Sequence, residues 1–174
     1  MELLDGILTR HSVRKFAEKE VGEEEIRKIL QAGMSGPACV NARDWAFVVV
    51  KDRAKLNAMA DANGRPAEPL RQAAFAILIC GDLERAFKLA PEYWVIDGAI
   101  AAENMTLAAW GLGIGSVWLG TYPQMERVEK QRALFDLPKE IVPHSILAFG
   151  YPAEVKAAEV RDLYEESKVH FEQW

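Results

Sequence analysis

Apolar residues at Leu3, Leu4, Ile7 and Leu8 recur at helical spacing, which predicts a short amphipathic helix ending at RHSVRKF, residues 10–16. GEEEIRKILQAGMSGPA then puts acids in a first turn, Ile26, Ile29 and Leu30 on one face, and Gly33 and Gly36-Pro37 as stops. That pattern predicts a second helix. WAFVVVKD and AAFAILICGD are short runs of β-formers ended by charge or Gly-Asp, and both read as buried strands. Residues 94–112, WVIDGAIAAENMTLAAWGL, form a helix apolar nearly all round, with Asp97 and Glu103 its charges. Such a helix must be enclosed, either as a central core element or by a second subunit. GIGSVWLG predicts a strand, residues 125–134 a helix, and HSILAFG a strand ending at Tyr151-Pro152. The charged tail from Ala153 keeps Val160, Leu163, Tyr164, Val169, Phe171 and Trp174, too many bulky apolar groups for a disordered end. It is expected to pack on something, a partner chain included. Strands interspersed with helices predict an α+β or mixed three-layer domain.

With 174 residues, half of them hydrophobic, the chain fits one globular domain burying about 70% of its unfolded surface. A net charge of -5 argues against nucleic acid and anionic membrane as partners, so any anion site must be local. MELLDGILTR carries no basic and apolar leader pattern, and no apolar run reaches membrane-spanning length. The expectation is a soluble, cytoplasmic protein. Cys39 and Cys80 are too few for a disulfide framework.

RHSVRKF is the local exception to the acidic balance. If extended, it turns Arg10, Ser12 and Arg14 to one side as a row of hydrogen-bond donors suited to a phosphate. On the stretch alone, a solvated basic turn between helices is the preferred reading, since short basic motifs match by chance. Elsewhere, side chains for chemistry are scarce. GLGIGS at 111–116 follows a helix and precedes a strand, the reverse of a dinucleotide-binding fingerprint, so its glycines read as a helix end. His11, His144 and His170 lack ligand-spaced neighbours, so no metal site is expected. No G-x-S-x-G elbow is present, and Cys39 is the one loop thiol. No catalytic side chain is assigned, which points to a bound cofactor as the carrier of chemistry.

RHSVRKF, SGPACVNARDW at 35–45, the long helix running into GLGIGSVWLG, ILAFGYP at 146–152 and RDLYEESKVHFEQW at the end occur in register. Together they resemble the FMN-dependent nitroreductase family, across nearly the whole chain. The resemblance implies a three-layer α-β-α sandwich with a mostly antiparallel central sheet. It also implies an interlocked homodimer, with FMN at the subunit interface and residues 153–174 crossing to the partner. Carried over, Arg10, His11 and Ser12 would hold the FMN phosphate with Arg161, Lys156 being a weaker candidate. Arg14 would reach the ribityl or pyrimidine side and tune the flavin, and Leu119 and Gly120 would lie near its N5. Pro37, Ala38, Cys39 and Asn41 of the other subunit would line the ring. The implied activity is a ping-pong transfer of hydride from NADH or NADPH to nitroaromatic, quinone or similar acceptors. A redox-silent FMN-binding protein and a reductive dehalogenase-like or FMN-fragmenting flavin enzyme are the alternatives on this scaffold. One departure is local. Asn-x-Gln-Pro-Trp of the family reads Asn41-Ala42-Arg43-Asp44-Trp45 here, leaving Arg43 either to reach flavin or to pair with Asp44.

Overall fold

The computed structural model describes residues 2–154 and 159–174. The helices are α1 (Leu3–Thr9), α2 (Glu23–Met34), α3 (Arg53–Asn63), α4 (Tyr93–Gly111) and α5 (Met125–Leu134). The strands are β1 (Trp45–Val50), β2 (Phe75–Asp82), β3 (Gly115–Gly120) and β4 (Ile141–Gly150). They form one sheet in the order β1-β2-β4-β3, every neighbouring pair antiparallel.

Period-2 alternation along β2 divides the core. Phe75, Ile77 and Ile79 face Ile26 and Ile29 of α2 and Met105 and Ala109 of α4, while Ala76, Leu78 and Cys80 face Leu56 and Met59 of α3. Val128 and Gln131 of α5 are buried on that second side, where Gln131 Nε2 donates to the Met59 carbonyl at 2.9 Å. Helices therefore cover both faces of the sheet, the α-β-α sandwich expected from the sequence. Each fully buried Phe, Ile, Leu or Met side chain contributes about 1.5–3 kcal/mol, so this double-sided burial is the main source of stability.

One departure from the sequence reading concerns a strand end. β4 begins at Ile141, before HSILAFG, and takes in Pro143. A register shift between Ile79 and Cys80 leaves His144 outside the paired positions, so the proline, which has no N–H to offer, enters the strand at an irregularity. The tail from Glu159 to Trp174 is exposed along its whole length in the single chain. α4 buries one side, including Trp94, Ala101 and Met105, and leaves Tyr93 and Ile96 exposed. Its enclosure within one chain is thus only partial.

Gly113, at φ +76°, takes the left-handed conformation that ends α4, and Ile114 N–H reaches back to the Ala109 carbonyl at 2.8 Å. Gly115 lets the RHSVRKF segment close on β3, because a Cβ there would meet Val13 Cβ at 2.7 Å. Ser12 accordingly forms a parallel bridge with Ser116, and Val13 N–H donates to the Ser116 carbonyl at 2.8 Å. The basic segment is extended along the sheet edge, and the glycine helix end is what brings it there. Among the described residues no helix is long and apolar enough to cross a membrane.

Candidate functional site

The sheet edge decides which way the basic segment points. Val13 is buried against β3, so Ser12 and Arg14, its neighbours in an extended chain, turn outward and are exposed. Arg14 lines a cleft of about 830 Å³ whose other wall is the end of β3, including Trp118, Leu119 and Gly120. A pocket of that size is within the range for small-molecule ligands. The structure thus brings Arg14 together with Leu119 and Gly120. Gly120 is pinned from behind, its carbonyl accepting from Arg127 Nη1 at 2.9 Å and Asn63 Nδ2 at 3.1 Å.

Three further cations line this cleft, Lys15, Arg65 and Arg71. The sequence reading missed Arg65, which follows Gly64 at the end of α3. Its signal is a lone cation set between a helix-ending glycine and Pro66. Among the described residues, Arg14, Lys15 and Arg65 have no carboxylate within ion-pair distance. Arg71, also on the rim, is by contrast committed to Asp61 at 2.6 Å and Glu68 at 3.0 Å.

Arg10 sits just past α1, half-buried, with Nε 3.5 Å from Glu103 Oε1 of α4. Its carbonyl accepts from Arg161 Nη2, and Arg161 N–H donates to the Leu8 carbonyl at 3.4 Å, so the tail arginine returns to the start of the basic segment. His11 packs edge-on against Trp110, ring centroids 4.8 Å apart, and Trp110 Nε1 donates to Thr9 Oγ1 at 3.0 Å. Arg10, His11, Ser12 and Arg161 therefore lie together, with two guanidinium groups and an exposed hydroxyl. Lys156 lies outside the described residues.

Pro37, Ala38, Cys39 and Asn41 lie elsewhere in the chain, on the turn joining α2 to β1. Cys39 N–H donates to both oxygens of Asp97 on α4, at 3.1 and 3.0 Å. Val40, Asn41 and Arg43 hold φ values of +47°, +56° and +52°. Left-handed backbone costs a non-glycine residue about 1 kcal/mol or more, and a β-branched valine resists it most. Asp97 anchors this strained turn together with the turn's own bonds, Asn41 N–H to the Ala38 carbonyl at 2.9 Å and Ala42 N–H to the Cys39 carbonyl at 2.8 Å. Partial burial, and then the charges of Asp97 and Asp44, push the Cys39 thiol up, which disfavours the nucleophilic thiolate.

Asp44 is 1% exposed, and among the described residues no other residue donates to its carboxylate oxygens; burial first, then the Asp97 charge, push it up to about 6, with its own backbone N–H opposing. Arg43 does not pair with it; the guanidinium lies 5.9 Å over the Trp45 ring. His144 is a structural histidine. It bonds Ser145 Oγ at 2.9 Å, packs edge-on between Trp94 and Trp118, and burial pushes its pKa down. Cys80 is buried in β2 and its thiol is pushed up to about 12 by burial. Among the described residues no group of three or more His, Cys, Asp or Glu side chains is placed to hold a metal ion.

What the arrangement can do is bind an extended anionic ligand, through unpaired cations along a cleft floored by strand backbone. Comparison with known proteins gives the same direction. The description "Nitroreductase family" matches residues 7–151. A Methanothermobacter thermautotrophicus protein named NADH dehydrogenase/NAD(P)H nitroreductase is 41% identical over all of this chain and 88% of its own length. A Bacteroides thetaiotaomicron structure of the same name superposes with TM-score 0.90 at 43% identity, covering 99% of this chain and 98% of that one. An FMN-dependent nitroreductase from Clostridium difficile R20291 superposes with TM-score 0.89 at 29% identity, covering 98% and 99%. The sheet order, the extended basic segment on the edge of β3 and these likenesses over nearly the full length agree, and the chain belongs to the nitroreductase family.

Proposed function

We propose that this NAD(P)H-dependent oxidoreductase binds FMN in the Arg14 cleft and uses it to reduce nitroaromatic, quinone or similar electron-poor acceptors. The observation that carries the reading is the cleft itself, which joins Arg14 to the Leu119-Gly120 end of β3 and is edged by unpaired cations. The donor set fits the cofactor. Two arginines and an exposed serine hydroxyl at Arg10, Ser12 and Arg161 suit a terminal phosphate, because charge-assisted hydrogen bonds from guanidinium groups to phosphate are strong.

In this reading Arg10, His11, Ser12 and Arg161 hold the phosphate, and Leu119 and Gly120 present backbone beside the ring's reactive nitrogen. Arg14 sets a cation toward the pyrimidine side, where it favours the uptake of a hydride. FMN, when bound, supplies the redox chemistry, accepting a hydride from NADH or NADPH and returning electrons to an acceptor. The chain's own residues bind, orient and tune; none is asked to act as acid, base or nucleophile. Nicotinamide and acceptor occupy the same open face in turn, which is a ping-pong order.

The unit is a homodimer of single FMN-binding domains spanning residues 1–174, with 153–174 packed on the partner and Pro37, Ala38, Cys39 and Asn41 of one chain lining the ring held by the other. Apolar surface supports this. Leu3 is 73% exposed and Trp174 99%, and they belong to a larger set that includes Leu4, Ile96, Leu163 and Phe171. Exposed apolar patches of this kind mark contact surfaces.

Anaerobic mixing tests the activity. The purified protein should be yellow, NADH or NADPH should bleach it, and a nitroaromatic or quinone should restore the colour. Flavin that binds but stays oxidised under an excess of both nicotinamides would mean a redox-silent FMN-binding protein instead.

A further inference from the structure

Asn63, the last residue of α3, and Thr121, which follows β3, are polar side chains 1% and 0% exposed, and the proposed function uses neither. The Asn63 amide bonds both residues of that strand end. Its Nδ2 donates to the Gly120 carbonyl at 3.1 Å, and its Oδ1 accepts from Thr121 Oγ1 at 3.0 Å. A carbonyl can only accept, so the two contacts fix the amide in one orientation. Arg127 of α5 adds a second donor to the Gly120 carbonyl at 2.9 Å. Four residues on, Gln131 Nε2 holds the Met59 carbonyl at 2.9 Å, which ties α5 to α3 close behind this point.

Backbone groups of alternate strand residues face the same edge. The Ser116 carbonyl faces the outer edge of β3, where it takes the Val13 N–H, and Gly120 turns its own carbonyl and N–H the same way. Two donors saturate that carbonyl. The N–H is what Gly120 has left to offer the cleft that it lines. A Cβ at Gly120 would meet no other part of the described chain within 4 Å, so packing does not call for a glycine there. Bare backbone at such a place suits the close approach of a ligand, but an unclamped glycine could also rotate and show the cleft an acceptor in place of a donor.

We infer that Asn63 is a positioning residue: with Thr121 and Arg127 it holds the Gly120 backbone so that an N–H, and not a carbonyl, meets the ring nitrogen that takes up the hydride. The inference rests on the proposed function, which puts the flavin ring beside Gly120. A donor fixed there favours charge arriving on the ring, so Asn63 acts on the rate of flavin reduction more than on affinity.

Asn63→Leu with Thr121→Val tests it. The pair removes both ends of one buried hydrogen bond, and Arg127 still donates to the Gly120 carbonyl, so no buried group is left without a partner. With isotope-labelled FMN in the intact protein, nitrogen NMR should show the N5 resonance moved toward that of free flavin while the N3 resonance stays in place. Flavin reduction by NADH or NADPH in stopped-flow mixing should slow roughly tenfold, while FMN affinity changes by less than about threefold. Thr121→Val alone exchanges a hydroxyl for a methyl, unlocks the amide, and should move N5 the same way by less. With FMN bound, an N5 resonance that neither variant moves overturns the positioning role and leaves the flavin site standing. Weakened FMN binding at an unchanged reduction rate makes Asn63 a structural residue and overturns it too. Wild type that takes up no flavin overturns the proposed function, and this inference with it.

Discussion

Arg14 and Asp44 are both charged residues on segments assigned to the flavin, yet one keeps its charge in solvent and the other has carried it inside. Arg14, Lys15 and Arg65, without ion-pair partners among the described residues, edge an open cleft. Asp44 is buried, and the turn just before it is strained at Val40, Asn41 and Arg43. The difference separates two jobs. Exposed cations cost little to maintain and attract an anion from solution, so their effects fall on affinity and depend on salt. Buried acids are costly, and their effects fall on backbone order and depend on pH.

The comparison breaks most sharply at the phosphate end. Arg10→Ala with Ser12→Ala removes a charge-assisted contact and a hydroxyl, and FMN affinity should fall roughly 100-fold by fluorescence titration while circular dichroism is unchanged. Full FMN occupancy in the double variant would show the phosphate to be held elsewhere. Arg14→Ala should slow flavin reduction in stopped-flow mixing roughly tenfold, with a smaller change in FMN affinity, because a cation favouring hydride uptake acts on the rate. An effect confined to affinity would reduce Arg14 to a binding residue.

On the acidic side the sign follows from the upward shift of Asp44. A carboxyl whose folded pKa exceeds its unfolded value stabilises the fold in full below the unfolded pKa and loses that contribution as pH rises through the folded one. The ordinary value is 3.8 and the folded value about 6, so the loss falls between them. The thermal midpoint of wild type relative to Asp44→Asn should therefore drop by roughly 5 °C as pH rises from about 4 to about 7. A difference independent of pH would remove the buried acid from the account. The smallest effect belongs to Glu103→Gln. That change frees Arg10 from a half-exposed ion pair, which is worth less than about 1 kcal/mol, so FMN affinity should rise by no more than roughly fivefold.

The sequence showed most of the architecture because its signals were local. The stop at Gly33 and the apolar face of Ile26 and Ile29 marked α2, and the β-former runs marked β1 and β2. The start of β4 was hidden, since Pro143 argues against a strand unless a register shift receives it. Of the candidate site, Arg10, Ser12 and Arg14 could be read as one donor row, and the structure keeps Ser12 and Arg14 outward as period-2 geometry requires. Arg65 could not be tied to that row, because only the fold brings the end of α3 to β3. The replacement of Gln-Pro by Arg43-Asp44 was visible. The anchor of the neighbouring turn was not, because the Cys39 N–H meets Asp97 only through the packing of α4, and no local pattern encodes that meeting.

A crystal structure of the protein grown with FMN tests the central claim most directly. The account predicts the phosphate against Arg10, Ser12 and Arg161, the ring against Leu119 and Gly120, and the Pro37–Asn41 turn of a second chain over it. FMN bound away from this cleft, with Arg10 and Arg14 left facing solvent, would contradict it.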